Sequence, residues 1–419
     1  MAQPIKNCTN CGAPVATPPV GTSEIACQYC GHLVRFDWTK HAPRSAASGM
    51  SPLVPILLVV GGLVAAGIAS SVLIAARVHS AGVALAEGAG IALGSNENFP
   101  ISCGMNQEVS LVGRKFEGTG TLITGDINCK IKIKDCTLKG DIVVLAKNLV
   151  EVTVENSTLE GKQTAVKLEM NSKLDAKKQT HLKAEEAGLE GGINSQVSLE
   201  DSSVEGGEVG IKADTNFKLR ATKSGISGKE YGIRASNNLE LEGKELTLTG
   251  SRAALDGEVN LKLELRGGAF EGGETALHMS GPNASIKLSR AARLSAKESA
   301  LKTASNLELE MEDALIDGGE IGIETDVNPK LTLGPKARIH GKQIALKAGL
   351  NLELQMRSAT LESESVAVCA PFNVEVNARE SVIRGGRDAF RFQRRPDELS
   401  LTSTTVTGNQ QFNARGCNP

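Results

Sequence analysis

The chain has 419 residues, a formal net charge of −2, 45 glycines and only 3% aromatic residues. The near-neutral charge argues against nucleic acid as the main ligand, because surfaces that bind nucleic acid carry an excess of Lys and Arg. The scarcity of aromatic side chains argues against a carbohydrate-processing cleft, since such clefts are lined by aromatic faces on which sugars stack.

Four cysteines near the N-terminus have the spacing of a zinc site. The pair Cys8 and Cys11 is followed, fifteen residues later, by Cys27 and Cys30, and a glycine comes directly after each pair. Two such pairs predict one tetrahedral metal held by four thiolates, which leaves no open coordination position for catalysis. The pattern resembles a zinc ribbon with two CxxCG knuckles, here over 1–40. We expect a structural Zn²⁺, with bound iron or a redox pair as alternatives, and a docking role toward an unidentified cytoplasmic protein.

A long apolar stretch follows a predicted linker over 41–51. Leu53–Ala76 contains no charged residue and, as a helix, would measure about 36 Å, against about 30 Å for the hydrocarbon layer of a membrane. The stretch therefore predicts one transmembrane helix over 52–77 that contacts the lipid bilayer through residues 53–76. A buried helix of a globular domain is the alternative interpretation.

The charges that flank this helix predict its orientation. Arg35, Lys40 and Arg44 precede it, whereas Arg77 is the only Lys or Arg after it until Arg114. The positive-inside rule places the N-terminus in the cytoplasm and the C-terminal region outside the cytoplasm. Four reduced thiolates fit the reducing cytoplasm.

Small residues follow one side of the predicted helix. Gly62, Ala66 and Ser70 recur every fourth position, a spacing that lets two helices approach closely. This row permits a homodimer, but small residues are common in membrane spans, and an unpaired helix is the preferred interpretation. Residues 78–98, rich in Ala and Gly, are expected to be a linker, with a short helix outside the membrane as the alternative.

An apolar residue recurs about every 22 positions through the rest of the chain, and a second apolar column and an Asn column keep the same spacing. Self-similarity at this period predicts a solenoid. The first column consists of Phe116, Leu138, Leu159, Leu182, Val204, Ile226, Leu248, Phe270, Leu294, Ile316, Ile339, Leu361, Ile383 and Val406. The second consists of Leu122, Val144, Val166, Leu189, Ile211, Ile233, Leu255, Leu277, Leu301, Ile323, Leu346, Val368 and Phe390. The Asn column consists of Asn148, Asn171, Asn194, Asn216, Asn238, Asn260, Asn283, Asn306, Asn328, Asn351 and Asn373.

Within each repeat, apolar and polar residues alternate, which is the signature of short strands with one buried face. We predict an all-β parallel β-helix of about 13 coils, each of about 22 residues, over 116–407. The predicted N-terminal cap covers 99–115 and the C-terminal cap 408–419. Glycine doublets such as Gly318-Gly319 predict turns that need positive φ.

This pattern resembles the right-handed parallel β-helix of the pectin-lyase-like superfamily, including its Asn ladder, over roughly 105–410. The resemblance implies a right-handed coil. In catalytic members, acidic and basic residues concentrate on one outward face, and here only Asp256, His278 and Lys302 are predicted neighbours of that kind. They lack an adjacent second carboxylate for glycosidase chemistry, and the three-Asp calcium cluster of pectate lyases is missing. We therefore interpret the alternating charges as a solvated face and expect no catalytic residue.

Arginines crowd the last coils. An ordinary charged rod end is the preferred interpretation of this local excess of positive charge, and a site for an anionic envelope polymer or lipid phosphate is the alternative. The residues concerned are Arg384, Arg387, Arg391, Arg394 and Arg395.

Five cysteines lie beyond the predicted ribbon: Cys103, Cys129, Cys136, Cys369 and Cys417. Because five is odd, at least one must be unpaired or join another chain. Cys369, in an outward position after the second column, is expected to pair with Cys417 and staple the C-terminal cap.

Together, these features predict a single-pass cell-membrane protein with a cytoplasmic zinc ribbon and an extracytoplasmic β-helical rod that binds or scaffolds other molecules without catalysing a reaction. The first alternative is a membrane-tethered carbohydrate-active lyase or hydrolase. The second is a structural rod that assembles with copies of itself.

Overall fold

A computed structural model of the chain describes residues 99–416 and five short strands before them. Two compact units comprise Met1–Ala86 and Glu87–Pro419. The predicted zinc ligands and the predicted transmembrane helix lie outside the described residues. Within the described residues, no helix is long and apolar enough to cross a membrane, and no group of His, Cys, Asp and Glu is arranged to hold a metal ion.

Every described element is a β-strand. In chain order the strands are β1 (Lys6–Asn7), β2 (Pro14–Val15), β3 (Glu24–Ala26), β4 (Leu33–Arg35), β5 (Ile91–Ala92), β6 (Ile101–Cys103), β7 (Glu108–Val112), β8 (Lys115–Glu117), β9 (Thr121–Gly125), β10 (Lys130–Lys134), β11 (Thr137–Asn148), β12 (Glu151–Glu155), β13 (Thr158–Met170), β14 (Lys173–Lys177), β15 (His181–Ala184), β16 (Ala187–Ile193), β17 (Gln196–Glu200), β18 (Ser203–Gly206), β19 (Val209–Thr222), β20 (Gly225–Gly228), β21 (Tyr231–Gly250), β22 (Ala253–Gly272), β23 (Thr275–Ala296), β24 (Ser299–Gly318), β25 (Ile321–Val327), β26 (Lys330–Leu333), β27 (Arg338–Gly341), β28 (Ile344–Arg357), β29 (Thr360–Ser363), β30 (Val366–Ala370), β31 (Phe372–Arg379), β32 (Val382–Phe392), β33 (Glu398–Thr402) and β34 (Thr405–Phe412).

The first unit contains two antiparallel pairs. β1 pairs with β2, with Asn7 opposite Pro14, and β3 pairs with β4, with Ala26 opposite Leu33. Each hairpin therefore spans, in sequence, one of the two CxxC pairs.

Strands β5 to β34 form a parallel β-solenoid of about 14 turns, in which each coil pairs with the next. Three faces run along it. Face A follows the Asn column and includes β10, β12 and β14. Face B carries the first apolar column and includes β15 and β18, and face C carries the second and includes β16 and β30. Longer strands such as β21 continue around a corner from one face to another.

The first apolar column is confirmed along its whole length. Phe116 lies opposite Leu138 at one end, Leu248 opposite Phe270 in the middle and Ile383 opposite Val406 at the other end. These side chains belong to one continuous apolar core, with only the two terminal members partly buried. The burial of neighbouring coils against each other is the main source of stability in such an array.

The second column is confirmed from Val144 to Phe390, but its predicted first member is wrong. Ile123, not Leu122, lies opposite Val144. Both residues are buried. Leu122 occupies the corner that a small residue fills in most coils, and it fits because Gly140 lies beside it: a Cβ there would lie 2.7 Å from the Leu122 Cγ.

The Asn column forms the predicted ladder. Each side-chain Nδ2 donates a hydrogen bond to the Oδ1 of the Asn one coil earlier, with distances of 2.7–3.3 Å from Asn171 to Asn373. The ladder Asn residues from Asn171 to Asn373 have positive φ, a conformation that Asn tolerates better than most residues. Two further members, Asn106 and Asn128, were not predicted; they also have positive φ and bond to each other at 2.7 Å.

One coil breaks the ladder, and there the prediction of Asn148 is wrong. The ladder position with positive φ is occupied by Leu149 (φ 56°), whose side chain is half exposed. Asn148 lies one position earlier, opposite Met170, and only accepts the bond from Asn171, at 3.3 Å.

Replacing Leu149 with Asn is therefore expected to stabilise the chain by about 1 kcal/mol, because Leu pays a larger penalty than Asn in the left-handed region and the new amide would extend the ladder. The measurement is the midpoint of chemical unfolding followed by circular dichroism. Met170→Asn, a neighbouring exposed site without positive φ, is the control and should bring no gain. Equal effects of the two substitutions would contradict this account.

The glycine doublets at Gly318-Gly319 and Gly385-Gly386 serve a different purpose from the predicted one, whereas Gly267 and Gly268 do have positive φ. Gly318 and Gly319 do not have positive φ. A Cβ on Gly319 would instead overlap the carbonyl oxygen of Lys297 in the preceding coil, and Gly386 meets Glu364 in the same way. Close stacking on the preceding coil therefore requires glycine at Gly319 and Gly386, whereas Lys297 and Glu364 occupy the same corner position in the coils before them.

A disulfide lies near the N-terminal end of the solenoid. Cys103, at the end of β6, and Cys129, directly before β10, form a disulfide between consecutive coils, with their Cα atoms 6.1 Å apart. Cys136 is a buried free thiol, as an odd number of cysteines requires, and burial raises its pKa.

Cys369 is disulfide-bonded, and its predicted partner Cys417 lies outside the described residues. Cys369 keeps its predicted position in the outward column, opposite Lys347, but it is buried with Ile344 and Val366 in a small apolar cluster instead of facing solvent.

Candidate binding surface

Alternating charges along face C form ion pairs between neighbouring coils. The outward carboxylate of Glu190 lies 2.8 Å from the Lys167 ammonium. Glu324 lies between Lys302 at 3.2 Å and Lys347 at 2.8 Å. Parallel strands place equivalent residues about 4.8 Å apart, so opposite charges one coil apart meet directly. Each exposed pair contributes only a few tenths of a kcal/mol.

Glu324 is one of the most enclosed carboxylates of this column, with 20% of its side chain exposed. Burial alone would raise its pKa, but the hydrogen bonds and charges of Lys347 and Lys302 outweigh burial and lower the pKa. A carboxyl group whose pKa is lower in the folded state stabilises the fold above its unfolded-state pKa, and this contribution is lost as the pH falls through its folded-state value.

Glu324→Gln is therefore expected to lower the free energy of unfolding by about 1 kcal/mol at neutral pH, because two lysines lose their shared partner. The difference from the unmodified chain should shrink as the pH falls below the folded-state pKa of Glu324. Urea unfolding at a series of pH values checks this, with Glu308→Gln on exposed face A as the control. If the difference in free energy of unfolding did not change with pH, Glu324 would not stabilise the fold through its charge.

Faces A and B carry the same kind of axial pairing. On face A the Glu240 carboxylate accepts hydrogen bonds from Lys218 at 2.9 Å and Lys262 at 3.1 Å, and these two lysines lower its pKa. On face B, Lys183 lies 2.9 Å from Glu205. All three faces of the described solenoid are therefore covered by files of paired charges.

The predicted acid–base neighbours are only partly brought together. The Nδ1 of His278 lies 2.8 Å from an oxygen of Asp256, and Arg234 approaches the same carboxylate at 3.7 Å. Lys302 is opposite His278 in register but contacts Glu324. The group is thus a His–Asp pair beside an arginine.

A second pair of the same kind was not predicted. The Nδ1 of His340 lies 2.8 Å from Asp317, and Arg293 approaches this carboxylate at 3.2 Å. The one-coil spacing between Asp317 and His340 was the available signal. The same geometry arises on two different faces. We therefore interpret it as the ordinary contact of a His with an Asp at the equivalent position of the preceding coil.

The predicted arginine cluster divides into two parts. Arg391 is 11% exposed and donates to the fully buried Asp388 at 2.6 Å, so it holds the fold together. The other four arginines are exposed: Arg384 lies 3.0 Å from Glu362, Arg387 lies 3.4 Å from Asp388, Arg394 lies over the ring of Phe372, and Arg395 follows it.

A shallow groove of about 590 Å³ runs along the Asn ladder beside face A. Amide groups form one wall, and alternating Lys and Glu side chains form the other. Apolar side chains, among them Phe217, Leu239 and Leu261, also line the groove, and such an open, repeating surface suits an extended ligand better than a compact one. Its polar lining is Asn216, Asn238, Asn260, Asn283, Asn306, Lys218, Glu240, Lys262, Ser285 and Glu308.

An apolar row lies beside the ladder in the first coils, with side chains 42–61% exposed. Contiguous exposed apolar side chains mark interaction surfaces more often than isolated ones do. Leu350 is a further exposed residue near the other end. The row consists of Met105, Ile127, Met170 and Ile193; in the coil between Ile127 and Met170 the row position is Asn148, and the exposed Leu149 occupies the adjacent ladder position.

These features define a parallel β-solenoid protein with a regular, charge-paired surface. Comparisons of the chain with protein-family models, with curated proteins and with solved structures give no match.

Proposed function

We propose that this chain is a non-enzymatic, single-pass membrane protein that presents its β-solenoid outside the cytoplasm as a rod for binding or scaffolding. In this proposal the rod is a right-handed β-helix of the pectin-lyase-like kind, and a cytoplasmic zinc ribbon docks a protein partner. The observation that carries the proposal is the uniform surface of the rod, whose charges are paired coil by coil along all three faces.

The spacing of the hairpins supports the zinc ribbon. β1 ends directly before Cys8, and β3 ends directly before Cys27, so each CxxC pair falls in the loop of a two-stranded hairpin. Zinc bound by Cys8, Cys11, Cys27 and Cys30 would fold this small region. We expect one zinc per chain by elemental analysis and none after the double substitution Cys8→Ser/Cys27→Ser. A metal-free chain with all four thiols reactive would refute the site.

The apolar segment 53–76 and its flanking charges support membrane insertion with the N-terminus in the cytoplasm. A promiscuous biotin ligase fused to either end of the full chain tests this arrangement. The N-terminal fusion should label cytoplasmic proteins, and the C-terminal fusion should label envelope material only. Labelling of the same compartment by both fusions would overturn the topology.

Among ligands for the rod, we propose an anionic envelope polymer at the exposed arginines Arg384, Arg387, Arg394 and Arg395. A variant in which all four arginines are replaced with Ser should bind a polyanion matrix more weakly, and its binding should depend less on the salt concentration. Lys218→Ser in the groove is the control. Unchanged retention of the arginine variant on the matrix would exclude an anionic polymer as the ligand of these arginines.

A carbohydrate-active enzyme is the competing function, and the His278–Asp256 pair is the observation that favours it. A glycan turnover that His278→Asn abolishes while the fold is kept would establish an enzyme. The self-assembling rod is tested separately: concentration-dependent filaments of the full chain would support it, and a single sedimenting species would exclude it.

A further inference from the structure

Face A presents three columns of outward side chains that run from β7 to β33. Parallel pairing in register aligns them, and in the first column Lys218 of β19 is followed by Glu240 of β21 and Lys262 of β22. All of these outward side chains are at least partly exposed. About 14 strands of about five residues, stacked about 4.8 Å apart, make a surface about 60 Å long and about 17 Å wide. Its area of about 1,000 Å² exceeds the roughly 800 Å² that each partner contributes to a standard protein interface.

The charges of face A change sign symmetrically about β22. β19, two coils before β22, carries Lys218 and Arg220, whereas β24, two coils after β22, carries Glu308 and Glu310 in the same two columns. In six cases, two residues of one column that are equally far from β22 have opposite charges. The pairs are Lys218 with Glu308, Arg220 with Glu310, Glu242 with Lys287, Lys173 with Glu353, Glu155 with Arg379, and Lys130 with Glu398.

We infer that face A binds a second copy of this chain, with the two A faces in contact and the two solenoid axes antiparallel. A two-fold axis along β22 places each strand before β22 opposite the strand that lies equally far after β22 in the other copy. Each column then faces the same column, so the six pairs of opposite charge each form twice across the interface. Such an isologous contact closes at two copies. The inference does not depend on the proposed function.

Like charges are few in this arrangement, and they are compensated within each chain. Away from β22, two pairs of facing positions carry the same sign: Lys177 with Arg357, and Glu151 with Glu375. Lys177 and Glu151 each contact an opposite charge of their own chain, at 2.7 Å and 3.5 Å. On the axis, the Arg266 Nε donates to Glu264 at 2.7 Å, and Lys262 donates to a neighbouring carboxylate at 3.1 Å. Attraction therefore outweighs repulsion.

The direction of packing follows from the same charges. In a parallel arrangement each strand would face its own counterpart. The three lysines of β10 would then meet three lysines, and the three glutamates on face A of β24 would meet three glutamates. Juxtaposed like charges suppress a contact. Face A therefore attracts a second copy only in the antiparallel orientation, and salt should weaken this attraction because it screens exposed charges.

Zero-length crosslinking of the full chain with a carbodiimide tests the packing, because this reagent joins a lysine amine to a carboxylate that it contacts. Lys218 and Glu308 of one chain are four coils, or about 19 Å, apart, so a link between them must join two copies. We expect this link and one between Lys173 and Glu353. The link between Lys218 and Glu240 within one chain is the internal control. Formation of the control link without either intermolecular link would overturn the inference.

Charge reversal provides a second test. Lys218→Glu/Arg220→Glu in β19 and Glu308→Lys/Glu310→Lys in β24 should each raise the dissociation constant of the dimer by about tenfold or more, measured by sedimentation of the full chain at low salt. An equimolar mixture of the two variants should dimerise again, because the reversed β19 of one variant is complementary to β24 of the other. If both variants dimerised as well as the unmodified chain, or if the mixture did not recover, face A would not bind a second copy.

Discussion

Replacing Asp388 with Asn is expected to destabilise the C-terminal coils by about 3–5 kcal/mol, the range for removing one partner of a buried ion pair. Asp388 is fully buried. Its carboxylate accepts hydrogen bonds from Arg391 at 2.6 and 3.0 Å and from the Gln411 amide at 2.9 Å. The Asn variant removes the negative charge that the nearly buried Arg391 guanidinium contacts through two hydrogen bonds.

The measurement should be local, because a long repeat array need not unfold in a single step. Hydrogen exchange of β34, which pairs with β32 and contains Gln411, reports opening of the last coil. The control is Glu362→Gln, which removes the exposed partner of Arg384 and should cost less than about 1 kcal/mol. Equal rates of hydrogen exchange of β34 in the two variants would show that the buried ion pair stabilises the last coil no more than the exposed one does.

The contrast between these two pairs shows where sequence reasoning works. The repeat fixes which residues share a column, since parallel pairing in register aligns equivalent positions. The first column was therefore predicted without error. The Lys–Glu pairing on the faces follows from the same alignment.

Prediction failed where one coil departs from the common pattern. In the second coil both Leu122 and Ile123 are apolar, and only the space beside Gly140 decides which of them takes the column position. Leu149 replaces the ladder Asn, so the adjacent Asn148 was mistaken for it. Both errors are shifts of one residue that a period of variable length cannot resolve.

The candidate sites were less predictable than the fold, because burial of an outward residue depends on what covers it. Cys369 and Arg391 both occupy the outward column of face C, yet one joins a buried cluster and the other a buried ion pair. The zinc ligands and the transmembrane helix lie outside the described residues and stay predictions.

Replacing Gly319 with Ala is expected to cost about 3 kcal/mol, at the upper end of overpacking penalties. A Cβ at this position would overlap the carbonyl of Lys297, and that carbonyl belongs to backbone that stacks directly against the corner. The Gly319 N–H also bonds to the Ala296 carbonyl at 2.8 Å, so the two coils are unable to separate without losing this bond. Relief of the overlap must therefore move backbone rather than a flexible side chain.

Gly225→Ala is the matched control, because Gly225 lies in a strand of the same solenoid, has no positive φ and has open space where the Cβ would go. It should be neutral or slightly stabilising, since Ala has less conformational freedom than Gly to lose on folding. Urea unfolding with hydrogen exchange of β25, which follows the corner, compares the two variants. If Gly319→Ala proved as stable as Gly225→Ala, the corner would not need glycine. The doublets would then have to be explained by something other than close stacking of the coils.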